Sequence, residues 1–156
     1  MASTECPFCH KLLTLHEQQD DEVVWQFAHS VAFLGTWQAY QGYCVLVARR
    51  HATELSHLGD RERVAYLDEM CQLARAIEIT FQPRKLNHEL LGNQVPHLHW
   101  HVFPRYLDDP DIRRPVWFAI DRAEQDREFH LELSGPKKDR AELASLLRAR
   151  LLTSVV

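Results

Sequence analysis

Polar and apolar positions alternate without a break over residues 97–102, and apolar Phe103 follows. His97, His99 and His101 take every second place, and Leu98, Trp100 and Val102 stand between them. Side chains of a β-strand point to opposite faces in turn. As a strand, the stretch carries three imidazoles on one face and three apolar groups on the other. As a helix it would set successive histidines about 200° apart. Trp100, Val102 and Phe103 favour extended backbone, and Pro96 and Pro104 bracket the run. The apolar face is expected to cover a core, and the histidine face to line a pocket.

Further strands are expected from the same kind of pattern. Val23 to Ala28 and Val31 to Thr36 read as two short strands around a turn at His29-Ser30. Tyr43 to Ala48 is more apolar and is expected to be central, covered on both faces, with Gly42 marking the turn before it. Lys85 to Leu91 reads as a strand leading through Gly92-Asn93-Gln94 into the histidine strand, close enough for a hairpin.

Asp60 to Phe81 is the clearest helix. Val64, Leu67, Cys71, Ala74, Ile77 and Phe81 recur at three- and four-residue spacing as one apolar stripe. Asp60 suits the N-cap, Glu62 suits the first turn, and Pro83 stops the helix. The Asp-, Arg- and Pro-rich residues Asp108 to Pro115 read as an exposed loop. Val116 to Ile120 reads as a short strand or packing arm, and residues 121–130 carry no assigned element. After Ser134-Gly135-Pro136 a last helix runs to about Leu152, with Leu143, Leu146, Leu147 and Leu151 as its stripe. The fold class is α+β: one antiparallel sheet of about five strands, one long helix and a C-terminal helix.

The 156 residues suit a single domain spanning residues 1–156, with its core in about 6–106 and an extension at 107–156. Apolar residues make up 46% and charged residues 26%, ordinary values for a soluble globular protein. A net charge of −4 lacks the basic footprint of a nucleic-acid binder. No signal-peptide pattern opens the chain and no apolar run reaches membrane-spanning length, so the cytoplasm is the expected location. The four cysteines do not form a disulfide framework. Cys44 and Cys71 lie within apolar patterns and are expected to be buried and unpaired.

Cys6-Pro7-Phe8-Cys9 has the spacing of half a zinc site, whose two thiolates take two corners of a tetrahedron. A redox dithiol of the same spacing needs a strand before it, and only five residues precede Cys6. The histidine spacing by itself leaves a solvated surface, a metal site and catalysis all open.

The segment from Asn87 through Pro96 and on from His97 to Arg105 resembles the histidine triad (HIT) family. Its signature, His-φ-His-φ-His-φ-φ with φ apolar, is matched at every position. The resemblance spans about residues 6–106 and points to the bacterial-type branch with an N-terminal Cys-x-x-Cys. It implies an HIT-like fold and one structural Zn²⁺ per chain, held by Cys6, Cys9, His51 and His97. His51 follows Arg49-Arg50 at the end of a strand, as in zinc-bearing members, with His10, His16 and His57 as substitutes. Four protein ligands leave no open position on such a metal.

The resemblance further implies catalysis by His97, His99 and His101. His99 would attack the α-phosphorus of a nucleotide, with its other ring N–H held by the His97 carbonyl. His101 would donate to phosphate or to the leaving group. Asn87, Asn93, Gln94 and His101 are the implied substrate-binding residues, and Arg105 would either add charge at the pocket's edge or stand as a surface residue. Relatives bind ribose through an acidic residue where this chain has Gly35-Thr36-Trp37-Gln38, so Trp37 would cover a base and Thr36 or Gln38 would reach the sugar. The partners implied are a small nucleotide and a second copy of the chain, with no nucleic-acid polymer and no membrane. Two further readings stand beside the enzyme: a zinc-stabilised nucleotide-binding protein without turnover, and a hydrolase whose metal activates water on the three histidines. No carboxylate adjoins the triad in sequence, which counts against the last.

Overall fold

The strands at the middle of the sheet form where apolar residues can pack on two sides, as in Ser30–Leu34 and Cys44–Ala48. In the computed structural model, which describes residues 5–15, 22–135 and 140–154, the strands are β1 (Val23–Gln26), β2 (Ser30–Leu34), β3 (Cys44–Ala48), β4 (Lys85–Glu89) and β5 (His99–Arg105). They pair antiparallel in the order β1-β2-β3-β5-β4. The central β3 is covered on both faces: Cys44, Leu46 and Ala48 join one core, and Val47 joins another. His16 and Pro136 lie outside the described residues.

Among the described residues five α-helices flank the sheet: α1 (Pro7–Leu13), α2 (Asp60–Phe81), α3 (Trp117–Gln125), α4 (Arg127–Ser134) and α5 (Arg140–Ser154). Leu98, Trp100 and Val102 pack on the side of α2 and α5, beside Leu73, Ile77, Leu143, Leu147 and Leu151. The histidine side of the sheet meets α1, α3 and α4 instead, through Phe8, Tyr43, Phe103, Ile120 and Leu133. The alternation along the histidine stretch thus separates core from pocket. No helix among the described residues is long and apolar enough to cross a membrane.

The pairing of β5 begins at His99 and continues through Pro104 to Arg105, two residues later at each end than the expected run. Pro104 does not stop it. Pairing of β5 with β3 ends at Cys44 opposite Val102, so the missing N–H of Pro104 removes no bond from that ladder.

Helix α2 has the expected limits, but Gly59 rather than Asp60 is its N-cap, and Asp60 opens the first turn. The helix is also turned from the expected stripe. Tyr66, Glu69, Leu73, Ala74, Ala76 and Ile77 face inward, whereas Val64 is 65% exposed and Cys71 is exposed. Two polar side chains decide this. The Tyr66 hydroxyl donates to the Leu46 carbonyl at 3.1 Å. Glu69 accepts from the His29 N–H at 2.8 Å and the Ser30 hydroxyl at 2.5 Å. A buried polar group with partners is stable inside, and hydropathy alone cannot rank it.

Cys44, by contrast, is fully buried, and burial pushes its thiol above the usual range. A thiol reagent is expected to label Cys71 at least about tenfold faster than Cys44, because the reactive thiolate needs solvent and a low pKa. Peptide mapping that finds Cys44 labelled first would overturn this ordering.

Val116 to Ile120 is neither strand nor arm: it enters α3. Val116, Ala119, Ile120 and Ala123 recur at helical spacing and are buried on one side. In the last helix Leu143, Leu147 and Leu151 are buried with Ala144, while Leu146 is 45% exposed.

Candidate active site and metal centre

Two groups of side chains share the wall made by the histidine stretch. The first is the cluster Cys6, Cys9, His51 and His97, whose ligand atoms all lie within 4.8 Å of one another. Cys6 caps α1, Cys9 lies one turn on, His51 follows β3, and His97 precedes β5. His97 Nδ1 is 3.4 Å from Cys6 Sγ, 3.6 Å from Cys9 Sγ and 3.2 Å from His51 Nδ1. Cys9 Sγ is 3.3 Å from His51 Nδ1. A tetrahedral ion with bonds of about 2.0–2.3 Å sets its ligands about 3.3–3.8 Å apart. These separations are of that size.

The hydrogen bonding also suits a metal. His97 Nε2 is 2.7 Å from the Ala48 carbonyl, so Nε2–H donates and Nδ1 presents a lone pair to the cluster. Of the substitutes considered, His10 is exposed on α1, and His57 is exposed with its ring 3.2 Å from the Thr53 hydroxyl. Neither belongs to the cluster.

The second group lines a pocket of about 370 Å³. His99 and His101 form its floor beside Phe8, Trp37, Tyr43 and the loop at 91–95, which includes Asn93 and Gln94. Helix α3 adds Trp117, Ile120, Asp121 and Glu124. Their spacing of i, i+3, i+4 and i+7 makes them one helix face.

His99 Nδ1 lies 2.6 Å from the His97 carbonyl. A carbonyl only accepts, so Nδ1 carries the proton and Nε2 keeps its lone pair. Burial pushes the His99 pKa down, opposed by that hydrogen bond. His101 is held down to about 4, first by burial and then by nearby His99. Both rings are therefore neutral near pH 7. The Phe8 ring sits 4.7 Å from His99, and Trp117 sits edge-on 5.2 Å from His101.

Several expected site residues lie elsewhere. Arg105 is buried away from the pocket, not at its edge. It donates to Asp109, Asn87 and the carbonyls of Asp111 and Arg114, and so anchors the loop that follows β5. Asn87 is thereby engaged by Arg105 and borders a separate groove with Lys85 and His88. Gln38 cannot reach a sugar. Its buried amide donates to the carbonyls of Gly35 and Tyr43 and accepts from the Gly42 N–H. Thr36 is exposed and is not among the residues lining the pocket, whereas Trp37 is.

Other contributors escaped the sequence pattern. Phe8, Tyr43 and Trp117 carried no site role in the sequence, and the fold brings all three to the pocket. The carboxylates missing beside the triad in sequence arrive through the fold. Glu89 pairs opposite His101 and accepts from the Trp117 indole N–H, and Asp121 and Glu124 come with α3.

A family model described as HIT domain matches residues 16–108, more than half of the chain. The chain belongs to the HIT family. Protein hit of Bacillus subtilis is 31% identical over 88 residues, which span 53% of this chain and 61% of that protein. Among solved structures, a histidine triad protein from Bradyrhizobium japonicum is 24% identical with a TM-score of 0.68, covering 88% of this HIT protein and 94% of the other. A Zn-bound histidine triad family protein from Mycobacterium smegmatis is 19% identical with a TM-score of 0.66, covering 97% and 98%. These likenesses show the fold. Helix α3, which walls the pocket here, lies beyond the last residue that the family model matches.

Proposed function

We propose that this HIT protein is a nucleotide hydrolase or nucleotidyl transferase that works through a covalent intermediate on His99. The observation that carries the reading is the bond from His99 Nδ1 to the His97 carbonyl. It leaves a neutral ring whose Nε2 lone pair can attack phosphorus. That pair forms a bond to the α-phosphorus as the bond to the leaving group breaks and its electrons depart with that group. The ring becomes cationic, and the His97 carbonyl stabilises it through the same hydrogen bond. Water or another acceptor then attacks phosphorus, releases the nucleotide and returns the pair to Nε2. His101, Asn93 and Gln94 line the same pocket and would contact the phosphoryl group, and Trp37 would cover a base.

The cluster is read as a structural zinc site. Two thiolates and two imidazoles are the donors zinc favours, and four protein ligands leave no place for substrate. The Mycobacterium protein of like fold carries zinc. When bound, the ion would hold α1, the end of β3 and the start of the histidine stretch together. A hydrolase with a metal on all three histidines fits poorly, since His97 donates from Nε2 to the Ala48 carbonyl and turns Nδ1 to the cysteines, which leaves it no nitrogen to share a metal with His99 and His101.

Rapid quench during turnover of an adenylyl compound is expected to trap an acid-labile nucleotide on His99. A protein that binds nucleotide but never yields this adduct is the binding module instead. The leaving group should matter too. Asp121 and Glu124 are the charged side chains lining the pocket. Neutral or cationic leaving groups are therefore expected to turn over faster than polyphosphates of like nucleoside.

A further inference from the structure

The Tyr43 hydroxyl lies 2.7 Å from His101 Nδ1. Tyr43 stands just before β3, His101 lies on the adjoining β5, and the two are 58 positions apart. We propose that Tyr43 is a positioning residue for the reaction proposed above: its hydroxyl donates to His101 Nδ1 and so sets the His101 ring as the Nε2–H tautomer, a hydrogen-bond donor beside the nucleophile.

The direction of the bond follows from satisfaction. A neutral imidazole has one donor and one acceptor nitrogen, and a phenol can donate or accept. If His101 Nδ1 carried the proton, the buried Tyr43 hydroxyl would have to find another acceptor for its own. A buried donor without one is costly. Tyr43 is 4% exposed, and burial pushes its pKa above the usual phenol value, so it keeps its proton.

The seat of the ring is closely built. Tyr43 stacks on Phe103 with centroids 3.9 Å apart and planes 10° from parallel. On another side it meets Gly35, where an added Cβ would fall 2.2 Å from the Tyr43 ring. The backbone N–H of Tyr43 donates to Tyr40, and its carbonyl accepts from Gly35 and Gln38. The hydroxyl therefore has little freedom to leave His101.

Two neighbouring rings on one strand then carry opposite tautomers. The His97 carbonyl makes His99 an Nδ1–H ring with Nε2 free to attack. Tyr43 makes His101 an Nε2–H ring, able to donate to a phosphoryl oxygen. The pair offers an attacking lone pair and a donor without any proton transfer between the rings.

The test is Tyr43→Phe, which removes the hydroxyl and keeps the stacked ring. Long-range proton–nitrogen spectra of protein with ¹⁵N-labelled histidine report each tautomer, with His101→Gln for assignment. Wild type should show His101 as Nε2–H. The variant should gain an Nδ1–H population and lose at least about tenfold in kcat, with KM within about twofold. An Nδ1–H ring in wild type overturns the proposal, even if the variant fails to fold. So does a folded variant with an unchanged tautomer or an unchanged kcat. Absence of turnover in wild type on every adenylyl compound removes the catalytic reading, and with it the positioning role, while the wild-type spectrum still decides which tautomer His101 holds.

Discussion

His99→Ala is expected to lower kcat by at least about four orders of magnitude, with little change in nucleotide affinity. The size follows from the proposed covalent route. Without Nε2 no histidyl intermediate forms, and neither neighbour can replace it. His97 turns Nδ1 toward the cysteines and donates from Nε2 to the Ala48 carbonyl. His101, in the tautomer proposed above, accepts from Tyr43 at Nδ1 and carries its proton on Nε2, so it has no free lone pair to attack with. Affinity should survive because the loop at 91–95, Trp37 and the α3 face still line the pocket. The measurements are steady-state turnover, nucleotide binding and a quenched adduct assay on the same preparations. Near-normal turnover in His99→Ala would sink the mechanism. So would loss of all activity in His101→Ala from a wild type that forms no adduct.

Removing the metal donors should have the second large effect. Cys6→Ser combined with Cys9→Ser is expected to abolish zinc on elemental analysis and to lower the melting temperature by at least about 10 °C, since a structural metal ties distant segments together and its binding energy adds to folding. The segments are specific. The cluster joins α1 to His51 at the end of β3 and to His97 at the start of the histidine stretch. Phe8 sits between the two cysteines and packs on His99. Turnover should therefore fall as well, although neither cysteine lines the pocket. Full zinc retention, or a melting temperature equal to wild type, would refute the assignment.

Phe8 and Tyr43 mark the division between what is legible in the chain and what is not. Alternation is a local property. It assigned His97, His99 and His101 to one face and Leu98, Trp100 and Val102 to the core before any partner was known. The extent of α2 was equally local, since Pro83 ends it wherever the rest of the chain lies. The Cys6–Cys9 spacing announced half of a metal site for the same reason: two thiols one helical turn apart meet whatever else happens.

The other half depended on distance. His51 and His97 join the cysteines only because β3 and β5 are neighbours in the sheet, with Val47 opposite His99. That register also brings the Tyr43 hydroxyl to His101, across a separation that no spacing rule reads. Arg105 and Gln38 were brought to the site by the family resemblance, yet each spends its hydrogen bonds on structure. A polar side chain does not disclose in sequence whether it will meet a ligand or its own backbone. The rotation of α2 has the same origin, because Tyr66 and Glu69 are drawn inward by Leu46, His29 and Ser30. The chain alone determined which residues face which way along each element. The tertiary structure decided which faces meet, because hydrogen-bond partners and ring contacts are settled by sheet register and helix rotation, and these depend on groups far apart in sequence.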